Sequence, residues 1–223
     1  MNQSAFSFED VLLIPQRSDI VSRNDVSLRT QFGYLELETP IVSSPMDTIT
    51  GPLMAYAMSK SGALGILHRY NTIEEQVNMA KESYKLGAKV VSAATGISGD
   101  YLNRMRALKA AGVSIFCLDV AHGHHSSMER ALKKTRDAFG DDVYLIAGNI
   151  ATAEAFGDLS NWGADTIRVG IGGGSICSTR IQTGHGMPTL FSVMLCAQQK
   201  KFMGSSALIM ADGGIRTSGD IVK

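Results

Sequence analysis

Seven short apolar runs punctuate the chain: TPIVSS (39–44), ALGILH (63–68), AKVVSAA (88–94), VSIFCLDV (113–120), VYLIAGN (143–149), DTIRVGIG (165–172) and ALIMADGG (207–214). Each is near-continuous rather than alternating, the pattern of strands buried on both faces of a parallel sheet. The segments between them carry helical spacing. Residues 51–61 set Leu53, Met54, Ala57 and Met58 on one face. Residues 73–86 follow Thr72, with Glu75 three positions on, which is a capping-box pattern. Residues 99–111, 125–139, 152–162 and 189–202 continue the rhythm. Glycine-bearing stops precede several strands, in SGA, LGA, AGV and WGA.

Strand and helix alternate six times before a seventh strand, which predicts an α/β protein, either a (β/α)8 TIM barrel or an open doubly wound sheet. Polar residues collect at the carboxyl ends of the strands. Ser43, Ser44, Met46 and Asp47 follow the first, His68 the second, and Thr95 and Gly96 the third. Asp119 and His122 follow the fourth, Asn149 the fifth, Gly172 to Cys177 the sixth, and Asp212 to Gly214 the seventh. An open sheet concentrates its ligand at one switch point, whereas polar groups at every strand end suit a barrel rim. The strand count is one short of eight. The expectation is therefore one barrel domain over 1–223, truncated after strand seven.

Composition narrows the function classes. The 223 residues are 44% apolar, enough for one sizeable core. The 21 basic and 21 acidic side chains cancel, so no polyanion-binding surface is indicated and nucleic acid is not an expected partner. The longest apolar runs are about six residues, against the roughly 20 that span a bilayer, so no membrane partner is expected. Three widely spaced cysteines, Cys117, Cys177 and Cys196, make no disulfide framework and suit a reducing cytoplasm.

The candidate chemistry sits in VGIGGGSICSTR (169–180). Gly172, Gly173 and Gly174 allow a tight turn, an anion nest, or a ring of carbonyls for a monovalent cation. Cys177 follows closely, either as a nucleophile activated by oriented amides or as an inert half-buried thiol. The G-x-G-x-x-G dinucleotide spacing with a later acidic residue is absent. Asp119 ends a strand, where it can bind ribose hydroxyls or cap the next helix. Asn149 can bond a base or an amide, or cap the helix after Thr152. Asp212 can accept from sugar hydroxyls or simply initiate an Asp-Gly turn. His122, His124 and His125 lack a matching acidic or cysteine ligand for zinc. Cys117, inside a strand, and Cys196, inside a helix, read as structural.

Seven stretches resemble, in order, the family of IMP dehydrogenase and GMP reductase: SFEDVLLIPQRS (7–18), PIVSSPMDT (40–48), GALGILHR (62–69), LDVAHGH (118–124), AGNIAT (147–152), GIGGGSICSTR (170–180) and ADGGIRTSGDI (211–221). The resemblance implies a TIM barrel that acts on a purine nucleotide. Cys177 would be the nucleophile at C2, with Thr179 assisting. Ser44, Met46, Ser175, Asp212 and Gly214 would hold the nucleotide. Asp119, Asn149, Gly170 and Gly172 would face the nicotinamide cofactor, which is NAD in a dehydrogenase and NADPH in a reductase. Carbonyls of Gly172, Gly174 and Cys177 would ring a potassium ion, and the assembly would be a homotetramer.

Two departures stand out. The family loop usually reads Gly-Pro-Gly or Gly-Ser-Gly, whereas here the middle residue is Gly173, so the loop is expected to lose a stiffener. The flap that carries the dehydrogenase's water-activating arginine, the reductase's glutamate and strand eight would lie beyond Lys223, so these residues alone would be poorly active or a non-catalytic nucleotide-binding fragment. The wording SSPMDT, DVAHGH and ADGGI favours NAD-dependent oxidation of IMP to XMP, in guanine nucleotide biosynthesis. The lack of an inserted regulatory domain pair, together with Thr183 in RIQTGHG, leaves GMP reductase as the alternative.

Overall fold

The computed structural model describes residues 4–223. In chain order the strands and helices are β1 (Thr30–Phe32), β2 (Leu35–Leu37), β3 (Val42–Ser43), α1 (Pro52–Lys60), β4 (Leu64–Leu67), α2 (Ile73–Leu86), β5 (Ser92–Thr95), α3 (Tyr101–Ala110) and β6 (Ile115–Asp119). There follow α4 (Ser126–Phe139), β7 (Tyr144–Ile150), α5 (Ala153–Asn161), β8 (Thr166–Val169), α6 (Thr179–Thr183), α7 (Thr189–Met203), β9 (Leu208–Ala211) and α8 (Ser218–Val222). From β3 onward the strands follow chain order with a helix after each, the plan of a TIM barrel carried to its seventh strand.

By internal contacts the chain divides into two compact units. One holds residues 19–119 and 130–146. Its parallel pairs run β3–β4, β4–β5 and β5–β6, with Ser92 opposite Ile115 and Thr95 opposite Leu118. Every residue of β4 and β5 is buried, as are the first four of β6. The near-continuous apolar runs therefore mean what the sequence suggested, strands covered on both faces.

The Thr72 capping box forms as the sequence predicts. Glu75 N donates to Thr72 Oγ1 at 3.2 Å, and the Glu75 carboxylate accepts from Thr72 N at 2.8 Å. These bonds hold the Glu75 carboxyl below its ordinary value, the backbone N–H of Thr72 first among them. Thr72→Ala is expected to destabilise the protein by about 1 kcal/mol, read as a fall of about 2–4 °C in Tm by thermal denaturation.

The other unit holds residues up to 18, 120–129 and 147–223. Here β8 pairs in parallel with β9, from Thr166 opposite Leu208 to Val169 opposite Ala211. Thr152 caps α5, accepting from Ala155 N at 3.2 Å. Phe156, Leu159, Ile167 and Cys196 are fully buried. The loop after β6 is tied to the end of β7, since Val120 N donates to Gly148 O and Asn149 N donates back to Val120 O. Among the described residues, no helix is long and apolar enough to cross a membrane.

Candidate active site

In the second unit, β8 ends at Val169 and the chain turns at once. Gly170 has φ +149° and lies against Asp212, whose carbonyl oxygen a Cβ would overlap, so only glycine fits. Gly172, at φ +78°, is covered by the Arg180 side chain. The Gly213–Gly214 turn after β9 backs onto Gly173 and Gly174, and a Cβ at Gly213 would come within 2.8 Å of Gly174 N. The two strand ends thus deliver glycine turns that touch through their backbones, while Ser175 projects exposed from the loop.

Cys177 sits on this loop, half-buried, with its N–H donating to Gly174 O at 3.1 Å. Its Sγ lies 3.3 Å from Thr179 Oγ1. The Thr179 hydroxyl and then its backbone N–H lower the thiol pKa, opposed by burial and aided by Gly172 N–H and the Arg180 charge. A lowered thiol pKa means more thiolate, the nucleophilic form, near neutral pH. The other two cysteines are buried, and burial pushes Cys196 up to about 12. Of the three thiols, Cys177 is the one that is not buried, and its pKa is lowered.

Asp212 is fixed from two sides. Its Oδ2 accepts from Asn149 Nδ2 at 2.5 Å and from Arg168 Nη2 at 2.9 Å. Asn149 Nδ2 also donates to Gly170 O at 2.7 Å, joining the carboxylate to the glycine turn. Asn149 is therefore no helix cap, and Thr152 takes that role. Buried Asn149 Oδ1 has no hydrogen-bond partner. Arg168, 7% exposed, is a site residue the sequence reading did not single out. Its only signal was a basic residue in the middle of the apolar run DTIRVGIG.

The remaining predicted residues belong to the first unit. Ser44 O accepts from Thr50 Oγ1 at 2.6 Å and from Met46 N at 2.8 Å, which folds 44–50 into a tight turn after β3. Asp119 ends β6 beside Arg69, whose Nη2 donates to Asp119 O at 3.1 Å and whose Nε stands 3.7 Å from the carboxylate. Nearby strand ends bear buried atoms without hydrogen-bond partners: His68 Nδ1, Arg69 Nε and Thr95 Oγ1. In the second unit, His124 Nε2 pairs with Asp158 Oδ2 at 2.8 Å and its ring packs on Trp162.

A family model described as IMP dehydrogenase / GMP reductase domain matches residues 5–223. The chain is similar to the inosine-5'-monophosphate dehydrogenase of Cryptosporidium parvum, 36% identical over 260 residues that span 97% of this chain and 63% of that protein. It is similar to the GMP reductase of Yersinia pestis, 35% identical over 223 residues with the same two coverages. Among solved structures it resembles inosine 5' monophosphate dehydrogenase from Legionella pneumophila, with a TM-score of 0.88 and 42% identity, covering 98% of this chain and 65% of that one. The chain thus spans somewhat under two-thirds of the length of these relatives.

Proposed function

The chain belongs to the IMP dehydrogenase / GMP reductase family, and from that premise we propose that it carries the catalytic barrel of an enzyme that oxidises IMP to XMP with NAD. The observation that supports this reading most is the Cys177 thiol, held on a glycine turn at 3.3 Å from Thr179 with its pKa lowered. The thiolate adds to C2 of the purine, with Thr179 assisting at the reacting carbon. The carboxylate of Asp212, steadied through Oδ2 by Asn149 and Arg168, offers its other oxygen to ribose hydroxyls. The N–H groups of the Gly213–Gly214 turn and Ser175 receive the phosphate.

Two bound groups go with this reading. The unpartnered Asn149 Oδ1 fits an amide donor such as the nicotinamide carboxamide, and Gly170, bonded to the same side chain, would line the cofactor side together with Gly172. When bound, NAD would supply the hydride acceptor for C2; Cys177 would hold the purine as a thioimidate until water released XMP and returned the thiol. Carbonyl oxygens of Gly172, Gly174 and Cys177 suit a hard monovalent cation such as potassium. Gly174 O already accepts from Cys177 N, but a carbonyl has a second lone pair to give.

One observation favours the reductase instead. For the same 97% of this chain, the alignment with the Yersinia GMP reductase runs 223 residues and that with the Cryptosporidium dehydrogenase 260, so the reductase matches with far fewer gaps. Assays of the protein with IMP plus NAD and with GMP plus NADPH, followed by nicotinamide absorbance, separate the two. Reduction of NAD by IMP is the expected result. Oxidation of NADPH by GMP alone would replace it with the reductase, and silence in both with folded protein would remove the proposal.

A further inference from the structure

The glycines of the nucleophile loop are not equivalent. Gly170 and Gly172 have positive φ and need glycine for their backbone, whereas Gly173 does not. What confines Gly173 is space, because a Cβ there would overlap the hydroxyl oxygen of Thr189. Thr189 is the first residue of α7, directly after Pro188, whose φ of −55° fixes the entry to the helix. It is 4% exposed, and its Oγ1 is buried without a hydrogen-bond partner. The same oxygen lies 3.8 Å from where a Cβ on Gly214 would stand. One side chain therefore fills the corner between the Gly173 loop and the Gly214 turn.

We infer that Thr189 is a positioning residue for Cys177: its side chain occupies the space a side chain at 173 would take, and so fixes how closely the nucleophile loop packs on the Gly213–Gly214 turn. The inference rests on reading Cys177 as the nucleophile. The rigidity that a proline or serine at 173 would supply from within the loop comes here from the helix behind it. The unpaired hydroxyl is not what does this work, because a buried hydroxyl without a partner is a cost rather than a gain. Shape is the operative property, and valine, which has the same shape, should serve as well.

The test measures the rate of Cys177 alkylation by iodoacetamide as a function of pH, located by mass spectrometry. Cys117 and Cys196 are buried, so the signal reports on Cys177. Gly173→Ser is expected to slow alkylation and turnover together, by about tenfold or more, through overpacking. Adding Thr189→Ala should restore both to within a few-fold of the parent. Thr189→Ala alone should loosen the loop and move the alkylation midpoint to higher pH, while Thr189→Val should match the parent. Should Gly173→Ser fail to fold, the Ala and Val variants at 189 decide by themselves. The inference is overturned by a Gly173→Ser variant that reacts like the parent, by a double variant no better than Gly173→Ser, or by Thr189→Val behaving like Thr189→Ala. Alkylation needs no nucleotide, so a chain that meets these expectations yet turns over neither IMP nor GMP refutes the proposed function alone.

Discussion

Cys177→Ala will leave nucleotide binding nearly unchanged and abolish turnover, a loss of roughly four to six orders of magnitude as for other enzymes stripped of a covalent nucleophile. No neighbour can substitute. Cys117 and Cys196 are buried, and Ser175, Ser178 and Thr179 offer hydroxyls that are far weaker nucleophiles than a thiolate. The pH profile carries the same argument. The reactive form is the thiolate, so activity is present above the thiol pKa and is lost as pH falls through it. Because the Cys177 pKa is lowered, chiefly by the Thr179 hydroxyl, the acid limb lies below that of a free cysteine. Thr179→Val removes the largest of those influences and should move the limb to higher pH. Isothermal titration with nucleotide and a pH–rate series check both statements. An alanine variant with full turnover would end the covalent role of Cys177.

The alternation of strand and helix was readable because burial on both faces of β4, β5 and β6 fills them with apolar or small residues and leaves no alternation of exposed charge within their runs. The glycine stops were readable for a backbone reason. Gly62, Gly87, Gly112 and Gly163 all adopt positive φ at or just beyond helix ends. Asn149 and Asp212 stood out because each polar side chain closes an apolar run, and Cys177 because it follows the glycines that end one. The rest depended on contacts that sequence spacing does not encode. Strands β1 and β2 have three residues each, too few for alternation to register, and α6 is a five-residue helix inside a glycine-rich loop. The sixth apolar run was drawn to Gly172 although β8 stops at Val169, since glycine neither continues nor breaks an apolar pattern visibly. Gly173 read as a missing stiffener because its packing partner, Thr189, is 16 positions on (189 − 173) and reveals itself only in space. Arg168 escaped for the opposite reason to Cys177: it lies within a strand rather than after one.

That arginine supports the second large prediction. Arg168 donates to Asp212 Oδ2 at 2.9 Å with its side chain 8% exposed and that of Asp212 26% exposed. A buried pair adds little when intact but costs heavily when one partner is removed, since the other charge stays desolvated. Arg168→Met keeps the bulk of the side chain and deletes the charge. It should destabilise the protein by about 3 kcal/mol, the lower end of the range for broken buried pairs because Asn149 still donates to the carboxylate. Tm should fall by about 6–12 °C. The surviving Asp212 carboxylate, no longer held from the strand, should bind nucleotide more weakly, so KM rises more than kcat falls. Asp212→Asn placed on Arg168→Met removes the stranded charge, and the double variant should regain part of the lost stability while remaining poor in KM. That non-additivity is the signature of a coupled pair. Strictly additive losses, or an Arg168→Met protein that melts with the parent, would show that Arg168 fills space in β8 and does not hold Asp212.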